Sequence, residues 1–207
     1  MAKGLFITIE GMDGSGKTTQ IEKIKEYFQQ KGYEPVLTRE PGGTKISEKI
    51  RNIILDESNT GMSPVTEMLL YASARAQLVF EVIKPALNQG KVVICDRFID
   101  SSYAYQGYGR GIDLKFIENV NEPALDNVMP DITFFFDIEP KLALARRISA
   151  TGADRIEKEK LEFHERVYKG YKDRAALFPH RIKIINANRS IEEISEEVRF
   201  WLNKVCP

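Results

Sequence analysis

Cysteine and histidine are scarce in this chain, two of each. Cys95 sits inside an apolar run, VVIC, and Cys206 is next to last. Neither a disulfide framework nor a zinc cluster is expected from so few ligands. Net charge is absent too, since 30 lysines and arginines balance 30 aspartates and glutamates. A balanced chain has no overall pull toward nucleic acid or an anionic membrane, so neither partner is expected and any basic site must be local. No run approaches the roughly 18 apolar residues of a membrane span. The opening MAKGLFITIEG turns glycine-rich too early for a secretory leader. The expected compartment is a reducing cytoplasm.

What is there is apolar material for one core. The 207 residues are 43% hydrophobic, which suits a single domain over 1–207. Five short apolar runs read as strands: 5–9, 35–39, 92–96, 132–137 and 182–186. Helical stretches separate them, and alternation of this kind predicts an α/β fold with a five-stranded parallel sheet buried on both faces. Ile21, Ile24 and Phe28 share one helix face, and Ile46, Ile50, Ile53 and Ile54 follow on the next helix. A longer helix from about Ser63 carries Val65, Leu69, Ala72, Ala76, Val79 and Ile83, and Pro85 should bend or end it. The last helix opens with a Ser190–Glu193 capping box and should turn Ile191, Ile194, Val198, Trp201 and Leu202 inward. YQGYGRGID (105–113) reads as a glycine-rich loop. The charged segment 145–160 reads either as a solvated helix–turn–helix or as a lid over a substrate.

The chemistry begins at IEGMDGSGKTTQ (9–20), between the first strand and a helix. Gly11, Gly16, Lys17 and Thr18 fit G-x-x-x-x-G-K-[ST]. Glycine lets successive backbone N–H groups point into one concavity, and the helix aims its positive end there. The expected ATP-binding residues are Gly11, Met12, Asp13, Gly14, Ser15, Gly16, Lys17, Thr18 and Thr19. Lys17 would reach the β- and γ-phosphates, and the Thr18 hydroxyl would ligate Mg²⁺. Such a cradle serves switches, motors and small-molecule kinases alike.

The third strand ends in Asp96 and Arg97, where ligands of such sheets sit. Asp96 suits Mg²⁺ held through water, and Arg97 suits a phosphate. TREPGGT ends the second strand with Arg39 and Glu40, and Arg51 follows on the next helix. Tyr71 and Arg75 stand at i, i+4 on one helix face, where they would hold a planar base. Ser101, Ser102, Tyr105 and Gln106 suit a base edge or a sugar, or an ordinary loop.

Taken together, FITIEGMDGSGKTTQ, TREPGGT, YASARAQLV, CDRFIDSSYAYQGYGRGID, PDITFFFDIEP and GADRIE resemble the bacterial thymidylate kinase family over nearly the whole chain. The resemblance implies a three-layer P-loop kinase fold with a mobile lid, a homodimer, and transfer of the ATP γ-phosphate to dTMP. It places the acceptor region at about 38–110 and the lid at about 145–160, which favours the lid reading of that segment. It implies that Tyr71 stacks on thymine, that Arg75 and Gln106 hydrogen-bond it, and that Ser102 lies near its N3 edge. Tyr105 would crowd the sugar C2′. Asp13 would sit near the 3′-hydroxyl and the acceptor phosphate, which Arg97 and Arg51 would hold. Arg39, Glu40 and Ser101 belong to the same motifs. The cradle has Gly14 where the eukaryotic-like form carries an arginine, so the resemblance assigns that charge to Arg155 of the lid, beside Arg146 and Arg147. Arg147 would also flank the adenine. The catalytic set is then Asp13, Lys17, Arg97 and Arg155. Two other readings stay open at this level: a kinase for another nucleoside monophosphate, and a nucleotide switch without an acceptor. A switch has no use for the arginines at 51, 75 and 97.

Overall fold

The structure is a computed structural model that describes residues 4–148 and 154–206, without the side chains of 147 and 148. Five parallel strands form one sheet in the order β2-β3-β1-β4-β5. They are β1 (Leu5–Glu10), β2 (Val36–Arg39), β3 (Val92–Asp96), β4 (Ile132–Asp137) and β5 (Ile182–Asn186). The three inner strands are buried along almost their whole length, as their apolar runs predict. The two edge strands are not. β2 leaves Leu37 and Arg39 exposed, and Ile184 of β5 faces outward. An edge strand has a neighbour on one side only, so burial on both faces does not extend to it.

Side chains alternate across the sheet. Ile7, Ile9, Phe134 and Phe136 meet α1 (Lys17–Gln30) and α9 (Ile191–Val205) through Ile24, Phe28, Ile194, Val198 and Leu202. Ile191, expected inward, is exposed at the first position of α9. On the opposite face, Phe6, Val93 and Cys95 meet Leu78, Val79 and Ile83. Phe135 packs there with Tyr105, Phe163, Val167 and Tyr171. This is the three-layer arrangement of helix, sheet and helix.

α2 (Lys45–Leu55) and α3 (Pro64–Leu78) lie together, Ser47 donating to the Ala74 carbonyl at 2.9 Å. Their periodic apolar residues divide between two surroundings. Ile54, Met68, Ala72 and Leu78 are buried, whereas Ile46, Ile53, Val65, Leu69 and Ala76 are exposed. Pro85 does not end the long helix. A π turn over Val79–Ile83 carries the path into α4 (Lys84–Asn88), with the Lys84 N–H reaching back to the Val79 carbonyl. The register therefore changes just ahead of the proline, where its missing N–H is least disruptive.

The segment read as a loop over 105–113 is a loop only from Arg110 to Asp113; Tyr105–Gly109 are helical. α5 (Ile99–Ser102) continues into a π turn over Tyr103–Gly109 before α6 (Leu114–Leu125). Gly107 and Gly109 are buried for lack of room. A Cβ on Gly107 would stand 2.5 Å from Leu114, and one on Gly109 would stand 2.7 Å from Phe163 of α8 (Leu161–Leu177). These glycines admit close helix packing, so their number misleads as a loop signal. α7 (Pro140–Ile148) follows β4 into the segment expected to form a lid, of which residues 149–153 lie outside the described residues.

Candidate active site

The strand order turns about β1, so the carboxyl ends of β1 and β3 open side by side, with Ile9 paired to Asp96. The glycine cradle leaves β1 at that point. Gly11 has φ 136° and its Cβ position is filled by the Phe136 carbonyl at 2.8 Å, so only glycine fits. Gly16 is left-handed at φ 86° and begins α1 without a side-chain cap. By contrast α2, α3, α6 and α9 are capped by Thr44, Ser63, Asp113 and Ser190. The first N–H groups of α1, like those of α8, have no side-chain cap, and an anion would satisfy them. Met12 is buried beneath the loop, while Thr18 and Thr19 are exposed on the first turn.

Lys17 is buried and folds back onto the cradle, donating to the Gly11 and Met12 carbonyls at 3.1 and 2.9 Å. Burial, then the Arg97 charge, pull its pKa below the ordinary lysine value. The Ser15 hydroxyl and Asp96 Oδ1 are buried polar atoms with no partner among the described residues. A partnerless carboxylate oxygen at the β3 terminus, close enough to Lys17 to act on its charge, fits a divalent cation with its water.

Arg97 joins the cradle to the space beside it. Its backbone is left-handed, φ 67°, and its N–H is held by the Ile9 carbonyl at 2.8 Å. Nη2 donates to Asp13 at 3.0 Å, Nη1 donates to the Tyr171 hydroxyl at 3.1 Å, and the guanidinium lies over the Tyr105 ring. A non-glycine residue in this region costs about 1–3 kcal/mol and persists where the surroundings enforce it. Tyr171 in turn donates to Glu10 at 3.0 Å. Glu10 also accepts from the Phe98 N–H at 2.8 Å and the Ser101 hydroxyl at 2.6 Å. Burial and the charge of Asp100 push the Glu10 carboxyl up to about 7, against the pull of the Ser101 hydroxyl, Arg97 and the Phe98 N–H.

Beside Arg97 opens a cavity of about 150 Å³. Asp13, Glu40, Arg51, Tyr71, Arg97, Ser101, Tyr105 and Gln106 line it, all expected from the sequence. Arg51 donates to the Pro41 carbonyl at 2.8 Å, next to the cis Glu40–Pro41 peptide. Burial, then the Glu67 charge, raise the Tyr71 phenol well above its ordinary pKa. Arg75 and Ser102 stand behind the wall. Arg75 is 1% exposed and donates to both Glu40 oxygens, to Ser102 at 2.9 Å and to Asn121. Four of its five N–H donors are engaged, leaving one for a ligand.

Other expected residues lie apart. Arg39 is on the outer edge strand, paired through Nη2 with both Glu48 oxygens at 2.9 Å. Arg155 is turned toward α2 and α3, donating to the Ile54 carbonyl at 2.8 Å and to Glu67 at 2.7 Å. Arg146 reaches the Ala187 carbonyl and Asn188. The Arg147 side chain lies outside the described residues.

Sequence reading missed Glu10, Glu67, Asn121, Tyr171, Asp154, Ile156 and Glu157, the last three of which line the cavity. Glu10 carried a signal, being an acid that ends an apolar strand directly before the glycines. Glu67 carried a weaker one, standing one helical turn before Tyr71. Tyr171 and Asn121 carried none.

A cradle for one phosphate chain, joined by a single arginine to a second polar pocket, is the arrangement of a kinase with a small phosphorylated acceptor. Fold and site together place the chain in the P-loop nucleoside monophosphate kinase class. A sequence profile described as thymidylate kinase matches residues 9–198. A thymidylate kinase of Symbiobacterium thermophilum is 47% identical over 98% of this chain and 94% of its own length. One of Finegoldia magna is 52% identical over 92% and 93%. The crystal structure of thymidylate kinase from Ehrlichia chaffeensis superposes with a TM-score of 0.80 at 39% identity, covering 97% of this chain and 99% of that one. The chain belongs to the thymidylate kinase family.

Proposed function

We propose that the chain transfers the γ-phosphate of ATP to dTMP, giving dTDP and ADP, in the cytoplasm. The observation that carries this reading is the position of Arg97, bonded to Asp13 of the cradle while lining the acceptor cavity. The cradle N–H groups and Lys17 bind the donor phosphates, and Lys17 exchanges its bonds to Gly11 and Met12 for bonds to phosphate. Thr18 and Asp96 hold Mg²⁺, which supplies positive charge to the donor phosphates when bound. Arg97 and Arg51 hold the acceptor phosphate, whose oxygen attacks the γ-phosphorus as the bond to the β–γ bridging oxygen breaks. That acceptor oxygen is already anionic, so no strong general base is needed. Asp13 orients the acceptor sugar and phosphate.

Tyr71 stacks on thymine, and Gln106 and the remaining Arg75 donor bond its edge. Ser102 and Glu40 hold Arg75, and Tyr105 disfavours a 2′-hydroxyl. Ser101 supports the wall through Glu10, and Arg39 acts from the rim. Arg155 leaves Glu67 to bring charge to the moving phosphoryl group as the lid closes and excludes water. Arg147 flanks the adenine. The exposed apolar side chains of α2 and α3, among them Ile46, Ile53, Val65 and Leu69, support a homodimer through that face. Light scattering on the unaltered chain should give twice the chain mass, and a single chain mass would remove the dimer.

The test of the reaction is ADP release with Mg²⁺ and ATP against dTMP, dUMP, ribothymidine monophosphate, UMP, CMP, AMP and GMP. A strong preference for dTMP supports the reading. Preference for another monophosphate, or release indifferent to any acceptor, contradicts it.

A further inference from the structure

Glu67 is a buried carboxylate with no part in the proposed reaction except as a resting partner of Arg155. It lies on α3 one turn ahead of Tyr71 and is 1% exposed. Three donors from outside α3 converge on it. Gln106 Nε2 donates to Oε1 at 2.9 Å. Arg110 grips both oxygens, at 3.1 and 2.9 Å, and Arg155 reaches Oε2 at 2.7 Å. Burial alone would raise its pKa, but the bonds and charge of Arg110, then Gln106 and Arg155, hold it below the ordinary glutamate value.

An ionised carboxylate accepts hydrogen bonds and donates none. Gln106 must therefore turn its NH₂ toward Glu67, which leaves the amide oxygen as the end available to the cavity it lines. An amide held this way offers its oxygen, an acceptor, to the base. Thymine and uracil present an N3–H donor at the corresponding edge, whereas cytosine presents an N3 acceptor. We infer that Glu67 is a positioning residue that fixes Gln106 as a hydrogen-bond acceptor, so that the pocket selects imide pyrimidines over cytosine. The inference rests on the proposed reaction and adds to it the residue that sets base polarity. Glu67 itself touches neither substrate nor the reacting atoms.

The test is Glu67→Gln in the full chain, assayed for kcat/KM with dTMP, dUMP and dCMP beside the unaltered chain. A neutral amide at 67 both donates and accepts, so Gln106 is free to turn over. The preference for dTMP over dCMP should then fall about tenfold or more, the worth of one buried hydrogen bond. The preference for dTMP over dUMP should stay, because both carry N3–H. Parallel losses with all three acceptors, leaving the dTMP to dCMP ratio unmoved, would mean a structural role only and overturn the inference. If the variant does not fold, NMR on the unaltered chain with labelled dTMP decides. A through-hydrogen-bond coupling from base N3 to the Gln106 side-chain carbonyl carbon is expected. Absence of that coupling in the dTMP-saturated complex would overturn it. An unaltered chain that ignores dTMP would instead remove the proposed reaction, and this inference with it.

Discussion

The phosphate cradle and the base-side wall sit on either side of Arg97 and are built in different ways. The cradle is backbone. Its shape comes from glycines at positive φ, and its one buried charge, Lys17, donates to two main-chain carbonyls. The wall is side chain on side chain. Glu40, Ser102 and Asn121 surround Arg75, while Gln106, Arg110 and Arg155 surround Glu67. A backbone cradle suits a charge that every nucleoside triphosphate carries. A saturated side-chain network suits a base edge, where one misplaced donor admits the wrong ligand.

The difference is sharpest for two buried cations. Lys17→Ala should lower turnover about a thousandfold or more, because the proposed reaction directs its charge at the transferring phosphate. Its unfolding midpoint in urea should stay near that of the unaltered chain, since the carbonyls it leaves still face the loop. Arg97→Ala should likewise lose most turnover, and near-normal rates in either variant would break the assignment. Arg75→Ala should behave in the opposite way, losing about 3–5 kcal/mol of folding stability because Glu40 is left buried and unpaired. Urea unfolding measures this, and a variant as stable as the parent would deny the wall its structural role.

Glu10, at the joint between cradle and wall beside Arg97, adds a pH dependence. Its carboxyl keeps its proton up to about pH 7 in the folded chain and releases it near 4.5 when unfolded. Between those values the folded state binds the extra proton, so stability falls as pH rises through that window and stays lower above it. The loss is on the order of 3 kcal/mol, from the size of that difference. Glu10→Gln should flatten the Tm profile between pH 4.5 and 7. A slope unchanged by the substitution would contradict the burial of this carboxyl beside Asp100 as its cause.

Glycine makes the smallest contrast. Gly109→Ala should cost about 1–3 kcal/mol through overpacking against Phe163 and Val167. Gly16→Ala meets nothing within 4 Å but sits at φ 86°, so it should cost about 1–2 kcal/mol through backbone strain alone. Trimming Phe163 to Leu should relieve the first variant and not the second, as thermal unfolding of the double variants would reveal.

This contrast also explains what the sequence disclosed. The cradle is contiguous, so Gly11 to Thr19 could be read directly, and the inner strands announced themselves as unbroken apolar runs. The edge strands were legible as strands too, but not their half-exposure, because that depends on sheet order. Gly107 and Gly109 misled because glycine serves both for turns and for room, and only the packed neighbours Leu114 and Phe163 distinguish the two. The wall draws on α2, α3, the π turn and the residues around 154–157, so residues such as Glu67 acquire meaning only once Gln106 and Arg110, some forty positions away, are seen beside them. Tyr71 and Arg75 were visible as a helix-face pair, yet Arg75 proved to stand behind the cavity with most of its donors engaged.

In the proposed reaction, donor phosphate and acceptor base would be held by two separable constructions. Calorimetric titration of dTMP into Lys17→Ala, without ATP, tests this most directly. The expected affinity lies within about threefold of the unaltered chain, under 1 kcal/mol, because the wall does not depend on Lys17. A loss of about a hundredfold would show that the cradle lysine also builds the acceptor pocket, and would contradict the division.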